Sequence, residues 1–161
     1  MSEPWIGARK HPAFWLATWF GAGLMPKAPG TWGSLAALPC AWIILICPSP
    51  LALPLATLLV FGLGLWSSGI YLKKTAIHDP SSVVIDEVAG QWLALLPLGH
   101  VISPLQWLLA FALFRLFDVW KPWPIRLADR KIPGAFGVMF DDILAGGAAS
   151  IIMMGVAHVS G

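Results

Sequence analysis

The sequence predicts an all-α fold: a polytopic helical membrane protein with an interfacial N-terminal helix, about three full spans and a broken helical hairpin over 88–117. Three observations carry this reading. Apolar residues (A, V, I, L, M, F, W, Y, C) fill 58% of the 161 positions, and mean hydropathy is +0.76. Charged residues make up only 11%, under half of the roughly 25% usual in soluble domains and too few to clothe a water-facing surface. Those charges are clustered: Arg9, Lys10 and Lys27 precede the first long apolar run, five fall in 73–87 and seven in 115–131. Ten Trp exclude a disordered chain, 16 aperiodic Gly a collagen-like fibre, and two Cys a secreted disulfide scaffold. Cys40 and Cys47 lie in an apolar run and read as small buried hydrophobes.

The elements follow in order. Residues 12–25, with Phe14, Trp15, Trp19 and Phe20, read either as a signal-peptide core or as an interfacial helix, and that many aromatics suit the interfacial helix better. Runs 31–47, 51–72 and 137–159 hold 17, 22 and 23 residues without a charge apart from Asp141 and Asp142, against about 20 needed to cross a bilayer. The run 88–117 is too long for one span and is broken at Pro97, Gly99 and Ser103-Pro104. It therefore reads as two short arms, 88–96 and 105–117, joined by PLGHVISP. A single span there would put Lys73 and Lys74 opposite the five Lys and Arg of 115–131, whereas a hairpin gathers all the cations on one side. With the N-terminus inside, the outer connections 48–50 and 99–104 carry no Lys or Arg. The chain 1–161 is one membrane-embedded domain, in which 1–30 forms an N-terminal interfacial segment and substrate-side loop.

The hairpin brings every acidic residue except Glu3 to helix ends on one membrane face. Asp86 and Glu87 open the first arm, and Asp118 lies just past the second. Asp141 and Asp142 stand four or five residues inside the last span, behind a glycine-bearing turn at 134–137. Five carboxylates within reach of one another cannot all stay ionised without cations, which points to a divalent metal. An aspartate within a span costs about 2.5–3.5 kcal/mol on insertion scales and is tolerated facing a bundle interior. Ala145, Gly146, Ala148 and Ala149 would let a neighbouring helix approach that face closely. Both acidic pairs also read as N-terminal charges complementing a helix dipole.

Arg115, Asp118 and Lys121 are spaced i, i+3, i+6, as in a surface ion-pair ladder. KPWPIR behind them adds Lys121 and Arg126 beside Trp120 and Trp123, which suits either a clamp on a phosphate held against a metal or an anchor on anionic lipid. Upstream, PKAPGTWGS puts Thr31 or Ser34 at a helix start, with Gly30 and Gly33 allowing close backbone approach; it serves as a capping turn or an anion site. Walker A, HExxH and DxDxT are absent, Cys40 and Cys47 have no Arg six residues on, and His11, His78, His100 and His158 are unpaired in spacing.

In order, PKAPGTWGSLAA, HDPSSVVIDEVAGQW, FRLFDVWKPWPIRLADR and GVMFDDILAG resemble the phosphatidylglycerophosphatase A family over residues 26–149. The resemblance implies a magnesium-dependent phosphatase of the bacterial inner membrane that converts phosphatidylglycerophosphate to phosphatidylglycerol. It puts weight on Gly30, Thr31, Gly33, Ser34, Asp86, Glu87, Asp118, Lys121, Pro122, Asp141 and Asp142. Gly134-Ala135 stands where the family commonly has Gly-Gly.

On that footing Mg²⁺ would be held among Asp86, Glu87, Asp118, Asp141 and Asp142. Asp118, Lys121 and Asp142 would act in catalysis, and Gly30, Thr31, Ser34, Lys27, Lys121 and Arg126 would bind substrate. The partner is a phospholipid in the bilayer rather than nucleic acid, and the site faces the cytoplasm. Two other classes fit less well. A cation transporter would hold its carboxylates near the midplane, and a CDP-alcohol phosphotransferase would carry DxxDGxxAR, which is absent.

Overall fold

The computed structural model describes residues 8–77 and 80–160, so Glu3 and His78 lie outside the described residues. The regular structure among them is all helical, with seven α-helices: α1 (Pro12–Ala17), α2 (Pro29–Leu45), α3 (Ala52–Thr75), α4 (Ile85–Leu95), α5 (Pro104–Trp120), α6 (Ile125–Lys131) and α7 (Gly134–Ser160). Prolines punctuate them as their missing N–H and fixed φ dictate. Pro29 and Pro104 occupy the first turns of α2 and α5, and Leu96-Pro97-Leu98 tightens into a 3₁₀ turn that ends α4.

Short α4 is the hub, packing on α7 most extensively and also on α2, α3 and α5. Its buried Val88, Ala89, Trp92 and Leu95 join the core with Ala37, Ala41 and Val60. The two arms of the hairpin pack on α7 more than on each other. At the hairpin tip the His100 ring Nδ1 lies 3.2 Å from the Leu45 carbonyl oxygen, setting the tip beside the C-terminal end of α2. The opposite end of the bundle collects the starts of α2, α4 and α7 and the end of α5, as the charge clustering requires.

Two helices, Ala52–Thr75 and Gly134–Val159, are long and apolar enough to cross a membrane. Only 33% and 28% of their apolar windows is buried, so they are not sequestered core helices of a water-soluble fold. Leu55, Leu58, Leu59 and Ile151 stand outward on them, each at least 60% exposed. The third span expected, α2, is 17 residues, about 25 Å at 1.5 Å per residue.

Several boundaries differ from expectation. The N-terminal helix expected over 12–25 is six residues long, because Trp19, Phe20 and Gly21 all adopt positive φ and turn the chain. It is also partly core: Ala13, Phe14 and Ala17 are buried and Phe14 stacks on Tyr71 of α3. The arm expected to end at 117 continues to Trp120, so Asp118 sits in the last turn of α5 rather than beyond it. The glycine-bearing turn at 134–137 is instead the first turn of α7. Gly137 is needed there for close approach, since a Cβ on it would meet the Ile132 carbonyl oxygen at 1.8 Å. The KPWPIR segment, whose prolines predict an extended or turning stretch, turns at Lys121 and then enters α6, which carries Arg126.

Candidate active site

A cavity of about 480 Å³ opens at the charged end, lined by Asp86 and Glu87 from α4, Arg115 and Asp118 from α5, Lys121 just past it, Asp129 from α6 and Asp141 and Asp142 from α7. Its geometry rests on glycine. Cβ atoms on Gly90 and Gly146 would meet the Asp142 carbonyl oxygen at 2.6 Å and the Gly90 carbonyl oxygen at 2.3 Å. That backbone contact carries Asp142 to the start of α4. The small-residue reading of α7 holds for Ala145, Gly146 and Ala149, which are buried there, while Ala148 faces elsewhere.

The carboxylates separate into two sets. Oxygens of Asp86, Glu87 and Asp142 all lie within 4.8 Å of one another. Glu87 Oε2 and Asp142 Oδ2 are buried without a hydrogen-bond partner, an arrangement that a proton or a bound cation compensates. Hard oxygen donors at this spacing fit a magnesium or calcium ion. Burial first, with Asp142 and Asp118 adding to it, pushes the Glu87 carboxyl up to about 8 despite Arg115. Asp86, buried beside Glu87, is also raised well above the usual carboxylate range.

Asp118 and Asp141 already have cations. The Arg115 guanidinium donates to Asp118 and lies 3.9 Å from Glu87 Oε1. Lys121, turned back by a left-handed backbone (φ 45°) before Pro122, donates to Asp141 and, at 2.7 Å, to Asp129. Burial alone would lower its pKa, but the two carboxylates more than offset this and hold the ammonium above its ordinary value. The expected Arg115–Asp118–Lys121 ladder is thus half formed, because the turn swings Lys121 across to α7.

The substrate-side residues divide as well. Gly30 lines the cavity, where a Cβ would fall 2.1 Å from Glu87 Oε1, so its lack of a side chain makes room for a carboxylate. Ser34 is buried behind it, donating to the Gly30 carbonyl at 2.9 Å and accepting from Arg115 at 3.5 Å. The residue capping α2 is Ala28, without a side-chain bond, so neither Thr31 nor Ser34 acts as the cap. Thr31, Lys27 and Arg126 do not line the cavity; Lys27 is exposed, and Arg126 reaches back to the Trp120 carbonyl. Arg115 and Asp129 do line it and were assigned no site role from the sequence. The signal for Arg115 was its place three residues before Asp118; Asp129 offered none beyond its charge.

Buried carboxylate oxygens in one cavity with Arg115 and Lys121 offer donors for a metal ion and for an anionic ester together. Comparison with known proteins is more specific. The chain belongs to the Phosphatidylglycerophosphatase A family, whose model matches residues 15–157, and it is an enzyme of the phosphatase type. It is 39% identical over 159 residues to Phosphatidylglycerophosphatase A of Escherichia coli (strain K12), covering 98% of this chain and 86% of that one. The Haemophilus influenzae protein of that name is 39% identical over 149 residues, covering 92% and 90%. A Bacteroides thetaiotaomicron protein provisionally named phosphatidylinositol-3-phosphatase is 39% identical over 162 residues, covering 92% and 97%. No solved structure matches the chain.

Proposed function

We propose that this protein hydrolyses the terminal phosphomonoester of phosphatidylglycerophosphate, giving phosphatidylglycerol and phosphate, with Mg²⁺ at Asp86, Glu87 and Asp142 and the cavity on the cytoplasmic face of a bacterial inner membrane. The names of the Escherichia coli and Haemophilus influenzae relatives support the substrate. The observation that carries the chemistry is the pair of buried, unpartnered oxygens on Glu87 and Asp142 beside Arg115 and Lys121. Mg²⁺ bound there supplies charge neutralisation for the phosphate and acidifies water.

The chain's own residues do the rest. Lys121 exchanges a carboxylate partner for a non-bridging phosphate oxygen, and Arg115 stands ready for a second. Asp118, positioned by its ion pair with Arg115, takes the proton of the attacking water; the phosphorus–oxygen ester bond breaks, and Asp118 returns that proton to the departing alkoxide. The lipid tails stay in the bilayer, with α2, α3 and α7 as spans and α4–α5 as a hairpin that turns back at Gly99.

The test is phosphate release by the purified protein from phosphatidylglycerophosphate, abolished by chelation and restored by Mg²⁺. The name of the Bacteroides relative favours a second reading, another lipid phosphomonoester. Faster turnover of phosphatidylinositol 3-phosphate in the same assay would establish that reading and sink the first.

A further inference from the structure

Behind the Lys121 turn lie two hollows that share Trp120, Pro122 and Trp123. One, of about 560 Å³, is flanked by Arg126 and Arg130. The other, of about 730 Å³, is an apolar groove between the ends of α5 and α6 and the outer face of α7, from Ile143 to Ile151. No carboxylate lines either hollow. The acidic neighbour of Arg130, Asp129, is engaged by Lys121, and neither arginine takes part in an ion pair among the described residues. The groove runs roughly 12 Å along α7, and its floor is open at Gly147, where a Cβ would meet nothing within 4 Å.

We infer that this continuous basic-then-apolar surface seats one anionic glycerophospholipid as a second, non-reacting lipid. Its phosphodiester rests between Arg126 and Arg130 and one acyl chain lies along Gly147. Charge complementarity selects the headgroup, since two guanidiniums without a counter-charge suit a phosphate fork. Trp120 and Trp123, 62% and 82% exposed, sit at the junction of the polar and apolar parts, where indoles favour the headgroup boundary. The occupant comes from the bilayer because the groove wall is the outer face of a helix apolar enough to cross it. It is not the substrate, because neither hollow shares a lining residue with the carboxylate cavity.

Native mass spectrometry of the purified full chain in detergent, titrated with dioleoylphosphatidylserine or dioleoylphosphatidylcholine, tests this. Wild type should retain one phosphatidylserine in preference to phosphatidylcholine. The Arg126→Ala/Arg130→Ala variant should bind it about tenfold more weakly or worse, and Gly147→Leu, which fills the groove, should do the same. Asp142→Asn should bind as wild type. The two site variants act on opposite ends of one lipid, so failure of either to fold leaves the other as the test. Equal retention of phosphatidylcholine, unchanged binding in the folded site variants, or loss of the adduct in Asp142→Asn would each overturn the assignment; the last would put the lipid in the carboxylate cavity.

Discussion

Gly90 of α4 and Gly146 of α7 meet backbone to backbone: a Cβ added to Gly146 would lie 2.3 Å from the Gly90 carbonyl oxygen. This contact sets the distance between the Asp86–Glu87 pair and Asp142, so the cavity depends on two atoms that are not there. Gly146→Ala should therefore push the helices apart, costing about 1–3 kcal/mol as overpacking usually does, and lower activity together with thermal stability in detergent. Gly147→Ala is the control, one residue on in open space, and should melt near wild type. Equal melting of the two variants would refute the crossing.

Removing the two aspartates of α7 should have different consequences. Asp142 belongs to the unpartnered set and Asp141 to the set held by Lys121. Asp142→Asn should weaken Mg²⁺ binding and reduce turnover about a hundredfold or more. Asp141→Asn should leave Mg²⁺ affinity near wild type but lower kcat, since Lys121 loses the partner that aims it. Matching Mg²⁺ affinities in both variants, by calorimetry, would remove Asp142 from the cation set.

Cation binding should release protons. With Glu87 at about 8, its carboxyl is mostly protonated at pH 7, and a cation must displace that proton. The sign follows: apparent Mg²⁺ affinity rises with pH, by up to about tenfold per unit below 8 for a single proton, and levels off above it. Calorimetry at pH 7 in buffers of different ionisation enthalpy should report proton release, with the share from Glu87 shrinking as the pH passes 8 and Asp86, also raised, adding to the total. Release that is absent at pH 7 would show Glu87 already ionised and unbound.

If the charged end is cytoplasmic, accessibility tags at Thr75 and Lys131 should report the inner side, and tags at Gly99 and the C-terminus the outer side. Opposite locations for Thr75 and Lys131 would break the hairpin topology.

What could be read from the sequence depended on the range of the interaction. Charge clustering and proline punctuation act locally or through the membrane, so the hairpin at Pro97–Pro104 and the gathering of Asp86, Glu87, Asp118, Asp141 and Asp142 were accessible. The division of those carboxylates into a bare set and a paired set was not. It hangs on the left-handed turn at Lys121, which sends the ammonium to Asp141 twenty residues on. Arg126 departs from expectation for the same reason: four residues past Lys121 a new helix starts at Ile125 and carries it away from the cavity. The premature end of the N-terminal helix rests on positive φ at Trp19 and Phe20, conformations that those residue types do not advertise.

Lys121 offers the sharpest separation of a phosphate clamp from a lipid anchor. Its ammonium is partly buried between Asp141 and Asp129, whereas Lys131 at the end of α6 is exposed and does not line the cavity. Removing a charge that stabilises the transition state lowers kcat as well as kcat/KM, typically by about 10²–10³ for one preorganised donor. Removing an anchor changes membrane residence and little else. Lys121→Ala should lose both parameters, and Lys131→Ala, with the same change in charge, should stay near wild type. Equal losses in the two variants, restored in both by added anionic lipid, would make Lys121 an anchor and leave Arg115 as the cavity's phosphate ligand.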